Sequence, residues 1–169
     1  MQNKLAERQY ERILFDYAEK FRNQKLKSRN KIKEEKEAVY VLYLRKSTKS
    51  EDQQKDSIDE QEKRCVDFAL RHGLNIRNED GSIREIIETE SAKDPDNRPL
   101  FREMLDNFEK ERYYNSIITW APDRLTRNMK EAGELMDLIK KGKIYDLKFP
   151  EFPFQKDEMG MLFLGIAFI

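Results

Sequence analysis

Residues 38–54 read "AVYVLYLRKSTKSEDQQ". The apolar and β-branched run 38–44 fits a strand buried on both faces, as strands of parallel sheets are. The switch to "RKS" at 45–47 marks its carboxyl end, the edge at which open α/β sheets bind ligands. Read outward, the pattern repeats. "SIDEQEKRCVDFALRHG" (57–73) is a helix opened by a capping box, Ser57 with Glu60, and closed by Gly73. Ile58, Cys65, Phe68, Ala69 and His72 fall near one face of it. "SIREIIE" (82–88) is a second strand, and "RPLFREMLDNFEKE" (98–111) a helix with Pro99 in its first turn and Leu100, Phe101, Met104, Leu105 and Phe108 inward. "SIITWA" (116–121) is a third strand. A helix over 129–141 turns Met129, Ala132, Leu135, Met136 and Ile139 inward, and "YDLKF" (145–149) is a fourth strand. Strands alternating with helices predict an α/β fold, a mostly parallel central sheet with helices on both faces. Right-handed crossovers carry the loops after parallel strands to one sheet edge. "RKSTKSEDQQ", "TESAKDPDNR" and "PDRLTRN" are therefore expected to converge.

The flanks differ from this core. Residues 1–37 form a charged N-terminal extension, predicted helical from a stripe of Tyr10, Ile13, Leu14, Tyr17, Ala18 and Phe21. It carries 11 Lys+Arg against 7 Asp+Glu, leaving 22 against 26 over 38–169. The mildly acidic balance of the core argues against a domain that holds nucleic acid through bulk charge alone. At the other end, "QKDEMGMLFLGIAFI" reads as a helix opened by Asp157 and Glu158, then apolar around its circumference, and so expected to be buried by its own core, by another subunit or by a missing continuation. Its apolar run of eleven residues is about half the length of a membrane span. A cytoplasmic protein with no membrane partner is expected.

Composition removes several chemistries. One cysteine, Cys65, and one histidine, His72, supply neither a zinc set nor a disulfide framework. Cys65 fits a small core residue, and His72 sits in the last helical turn, where a cation meets the negative end of the dipole. The six glycines make neither a P-loop nor a dinucleotide fingerprint, so no nucleotide cofactor or metal is expected.

The converging loops do carry an inventory. Arg45 and Ser47 come from the first, Glu88, Ser91 and Arg98 from the second, and Asp123, Arg124 and Arg127 from the third. Acyl transfer favours a base beside the serine and amide donors for an oxyanion, and the set holds no histidine. Guanidinium groups match the paired oxygens of phosphate and stay charged near neutral pH. The set favours phosphoryl transfer, with arginines stabilising the transferring group in place of magnesium. Each piece alone has a simpler reading, the serine as a turn residue and the Asp-Arg pair as an ion pair.

"YLRKSTKSEDQQKDSIDEQ", "ETESAKDPDNRPLFREML", "ITWAPDRLTRN" and "MGMLFLGIAF", in this order, resemble the catalytic domain of serine site-specific recombinases, the resolvase and invertase family, and above all its large-serine-recombinase or phage-integrase branch. The resemblance spans 38–169. It implies that Ser47 attacks a phosphodiester of double-stranded DNA, holding the 5′ phosphate as phosphoserine and releasing a 3′ hydroxyl. It implies that Arg45, Arg124 and Arg127 line the phosphate, with Asp123 as proton donor or orienter. Tyr43, Gln54, Gln61, Glu88, Ser91 and Arg98 take supporting, phosphate-binding positions, Glu88 standing where relatives often have aspartate. No ATP or metal is implied, because the covalent link conserves the energy of the broken bond. In the family the last helix continues, builds a dimer and tetramer interface and leads to a DNA-recognition region. The expectation is thus a recombinase catalytic domain truncated within that helix, with target selection lying elsewhere. Two rivals remain: a catalytically silent remnant that oligomerises, and a phospho-accepting receiver domain. A receiver needs clustered acids at its strand ends, where this chain has Arg45, Ser47 and Arg124.

Overall fold

In the structure, a computed structural model, residues 37–46, 57–89 and 97–168 are described. The predicted leader helix, Ser47, Gln54 and Ser91 lie outside them. The described elements run β1 (Tyr40–Arg45), α1 (Ile58–Arg71), β2 (Glu85–Glu88), α2 (Pro99–Glu109), β3 (Ser116–Ile118), α3 (Pro122–Leu125), α4 (Met129–Lys140), β4 (Asp146–Lys148) and α5 (Glu158–Ala167). The sheet order is β2-β1-β3-β4, every neighbouring pair parallel. The α/β class with helices on both faces is as the sequence predicts. β2 and β3 are shorter than the runs 82–88 and 116–121, because 82–84 precede the parallel ladder, Ile83 bridging Arg77 instead, and 119–121 leave it for the turn into α3. "PDRLTRN", expected as a loop, contains a short helix, α3, entered through Pro122, whose fixed φ suits a first helical position.

Period-2 alternation on β1 divides the core. Val41 and Tyr43 face a cluster with Phe101, Met104, Phe108, Leu125, Leu135 and Leu164 from the later helices. Tyr40, Leu42 and Leu44 face Cys65, Ala69 and Ile76 on the α1 side. The Ser57 hydroxyl caps α1 by accepting from Glu60 N at 3.2 Å. The Glu60 carboxylate turns to Arg64 at 2.9 Å. His72 is exposed and lies against the Phe68 ring, centroids 4.2 Å apart.

Two sequence expectations fail. Leu100 is exposed, because the inward stripe of α2 is Phe101, Met104, Leu105 and Phe108, and Leu100 lies at its margin. Met129 is exposed at the first position of α4, ahead of the turn that packs on the sheet. Of the covers expected for the apolar α5, its own core supplies only one face. Leu164 alone of its residues is fully buried, followed by Phe168 just beyond, while Met159, Leu162, Phe163 and Ile166 are exposed. α5 packs against α3 and α4 through one face, and its other face is exposed.

Candidate active site

The chain leaves β1 for β2 on one side and later returns to β3 on the other, so the crevice between the carboxyl ends of β1 and β3 is a topological switch point. Into it project Arg45, from the end of β1, and α3 with its flanks, from the residues after β3.

Arg45 is buried, and its guanidinium fastens the two segments together. Nε donates to Arg124 O at 3.0 Å, Nη2 to Asp123 O at 2.9 Å and Nη1 to Lys46 O at 3.3 Å. A helix of four residues leaves its last carbonyls without intrahelical donors, and Arg45 supplies them. Burial, followed by the nearby charges of Arg127 and Arg124, pushes the Arg45 guanidinium down to about 10. It remains a cation at neutral pH, in a neighbourhood crowded with its own sign.

Arg124 is buried, its guanidinium 5.2 Å from the Trp120 ring centroid and 3.8 Å from Asp123 Oδ2. Arg127, half-buried, donates to the same Oδ2 at 2.5 Å. Asp123 thus orients two arginines with one oxygen. The cluster holds three guanidiniums and one carboxylate, the balance that favours an entering oxyanion.

The supporting residues act on backbone and on helix ends. Gln61 is fully buried on α1, accepting from Arg45 N at 3.4 Å and donating to Arg45 O at 3.0 Å. It pairs with the strand end as a neighbouring strand would, one residue before Lys46. Glu88, buried at the end of β2 opposite Arg45, accepts from Phe101 N at 3.1 Å. It therefore caps the amino terminus of α2, where Arg98 occupies the cap position with no side-chain cap bond. Arg98 is fully buried; Nη1 donates to Tyr43 Oη at 3.0 Å and to Leu125 O at 2.7 Å, Nη2 pairs with Glu131, and the guanidinium lies 3.8 Å from the Phe101 ring centroid. Burial raises the Tyr43 hydroxyl well above its ordinary value, so it stays protonated.

The structure therefore gathers Arg45, Asp123, Arg124 and Arg127 at the crevice, with Tyr43, Gln61, Glu88 and Arg98 buried behind it. Sequence reasoning missed Glu131. Its signal was available as Asn128-x-x-Glu131, a capping-box spacing at the start of α4. Among the described residues no cluster of His, Cys, Asp and Glu is suited to hold a metal, and no helix is long and apolar enough to cross a membrane.

A parallel α/β domain with a guanidinium cluster at its switch point is the class of fold and site defined here. The family profile "Resolvase, N terminal domain" matches residues 40–167, and the chain belongs to that family, as a serine recombinase catalytic domain. Among solved structures, the chain is similar to the N-terminal catalytic domain of TP901-1 integrase, with a TM-score of 0.59, 23% identity and coverage of 76% of this chain and 90% of that one. That likeness is one of fold. No curated protein sequence matches.

Proposed function

We propose that the chain cleaves and rejoins double-stranded DNA through a covalent phosphoserine at Ser47, in site-specific recombination. The Ser47 hydroxyl loses its proton as its oxygen bonds to phosphorus. The P–O3′ bond breaks, the 3′ oxygen departs with the bonding pair and takes up a proton, and the 5′ phosphate stays on the serine. Arg124 and Arg127 stabilise the equatorial oxygens. Arg45 adds charge while holding α3 in place, and Asp123 orients the arginine pair. Ser91 and Gln54 support the phosphate from the second and first loops. The observation that carries this reading is the arginine cluster itself, three cations at a switch point that share one carboxylate and lie just beyond the strand that leads to Ser47.

The active form is proposed to be a homo-oligomer, dimer or tetramer, of this catalytic domain, which follows a separate N-terminal extension over 1–37. Exposed Leu162 and Ile166 on α5 line a groove of about 860 Å³ against α4, and Met159 and Phe163 are exposed on the same helix, together an apolar surface suited to a second copy.

The test is adduct trapping. The full chain is incubated with a pool of nicked duplexes of randomised sequence and the products are denatured. Wild type is expected to form a protein–DNA adduct whose released 3′ hydroxyl a polymerase extends, and Ser47→Ala to form none. An adduct that persists in Ser47→Ala, or none with wild type, overturns the proposal.

A further inference from the structure

We infer that Glu131, on α4, is a positioning residue that fixes the segment bearing Asp123, Arg124 and Arg127; its effect on DNA cleavage rests on the function proposed above. Glu131 is fully buried and gathers donors from three elements. Oε2 accepts from Arg98 Nη2 at the start of α2, from Thr126 Oγ1 at 3.1 Å at the end of α3, and from Asn128 Nδ2 at 2.6 Å at the cap of α4. Oε1 accepts from Arg102 Nη2 at 3.3 Å. Arg98, held by this carboxylate, donates in turn to Leu125 O at 2.7 Å. The Thr126 hydroxyl also accepts from Asn128 N at 3.3 Å. The segment 122–128 is therefore gripped from below at Leu125, Thr126 and Asn128, while Arg45 grips it from β1 at Asp123 and Arg124.

A buried ion pair adds little stability over an apolar pair of the same volume, because both ions are stripped of water. A requirement for stability alone would be met by two apolar side chains. What an apolar pair cannot do is fix the register of a short helix through directed bonds to its last carbonyl and its cap hydroxyl. Arg124 and Arg127 lie on either side of those two anchors, so a shift at Thr126 moves both guanidiniums.

The test compares wild type, Glu131→Gln and the double variant Arg98→Met/Glu131→Met in the full chain, by thermal melting, amide hydrogen exchange and the adduct assay. In Glu131→Gln, exchange at the Arg124, Thr126 and Asn128 amides should rise about tenfold or more while β1 amides are unchanged. The rate of adduct formation should fall about a hundredfold, with half-saturating DNA moved by less than about threefold. The double variant should melt close to wild type and yet keep both defects. Recovery of the adduct rate together with the melting temperature would make Glu131 merely a stabilising residue and overturn the inference. Wild-type exchange in Glu131→Gln would overturn it too. Because exchange is read without DNA, it decides the inference even where wild type forms no adduct, an outcome that counts against the proposed function alone.

Discussion

Arg45→Lys separates a clamp from a simple positive charge. The guanidinium reaches Arg124 O at 3.0 Å and Asp123 O at 2.9 Å through different nitrogens, and an ammonium, a single point, can serve only one of the two. A hydrogen bond with a charged partner contributes roughly 1.5–3 kcal/mol, and the orphaned carbonyl gains no other donor in a site this buried. An opposing effect exists. The burial and like charges that push Arg45 down to about 10 act on a lysine as well, moving it below its ordinary value of about 10.4 and toward neutrality. Partial neutralisation relieves the repulsion from Arg127 and Arg124, so the net loss should be about 2 kcal/mol. For the compact unit Ala38–Ile169 this lowers the melting temperature by about 8 °C at pH 7. The pH dependence gives a second signature. The substituted ammonium has a lower folded than unfolded pKa, so between those values the unfolded chain binds more protons and stability rises with pH. Arg45 itself titrates above this range, so the gap between wild type and variant should narrow from pH 7 to pH 9. Melting curves by circular dichroism read both quantities. A gap below about 0.5 kcal/mol at pH 7, or one that widens toward pH 9, would refute the clamp.

Further outcomes follow from other contacts. Arg124→Lys should leave folding intact and slow adduct formation by about a hundredfold or more, since a fork is replaced by a point charge; near-normal cleavage would mark Arg124 as structural. A Cβ at Gly160 would lie 1.8 Å from Gln155 O, so Gly160→Ala should cost about 1–3 kcal/mol and speed amide exchange chiefly in the first turn of α5. Unchanged exchange there would contradict the packing. Burial pushes the Cys65 thiol up to about 12, so at pH 8 the native protein should react with a thiol reagent roughly a thousandfold more slowly than the denatured chain. Equal rates would show that the site opens without unfolding.

What the sequence disclosed is tied to periodicity. The run 38–44 and the stripes of α1, α2 and α4 each bury one face of one element, and such patterns are local. They place the strand ends on one edge, and with them Arg45, Glu88 and the 122–128 segment. Partners across elements were not legible. Nothing in "RPLF" says that Arg98 turns inward to Glu131, and nothing in "DEQEK" says that Gln61 pairs with a strand end, because both depend on packing between segments 33 and 16 residues apart. Which faces of α5 its own core covers was not legible for a related reason: hydropathy reports how apolar a helix is, while exposure depends on how much of it a neighbour can cover.

The cluster at the switch point also admits a charge count. Arg45, Arg124 and Arg127 against Asp123 sum to +2. A phosphodiester in the ground state carries one negative charge and leaves the site with a surplus. In the proposed reaction, once a deprotonated Ser47 oxygen has joined it, the pentacovalent species carries two, and the sum is zero. Under that proposal, a site so balanced would bind the transition state more tightly than the substrate, which is what lowers a barrier. The same count gives the apo site a standing repulsion. The bonds from Arg45 and the carboxylate of Asp123 hold that repulsion in place until DNA arrives.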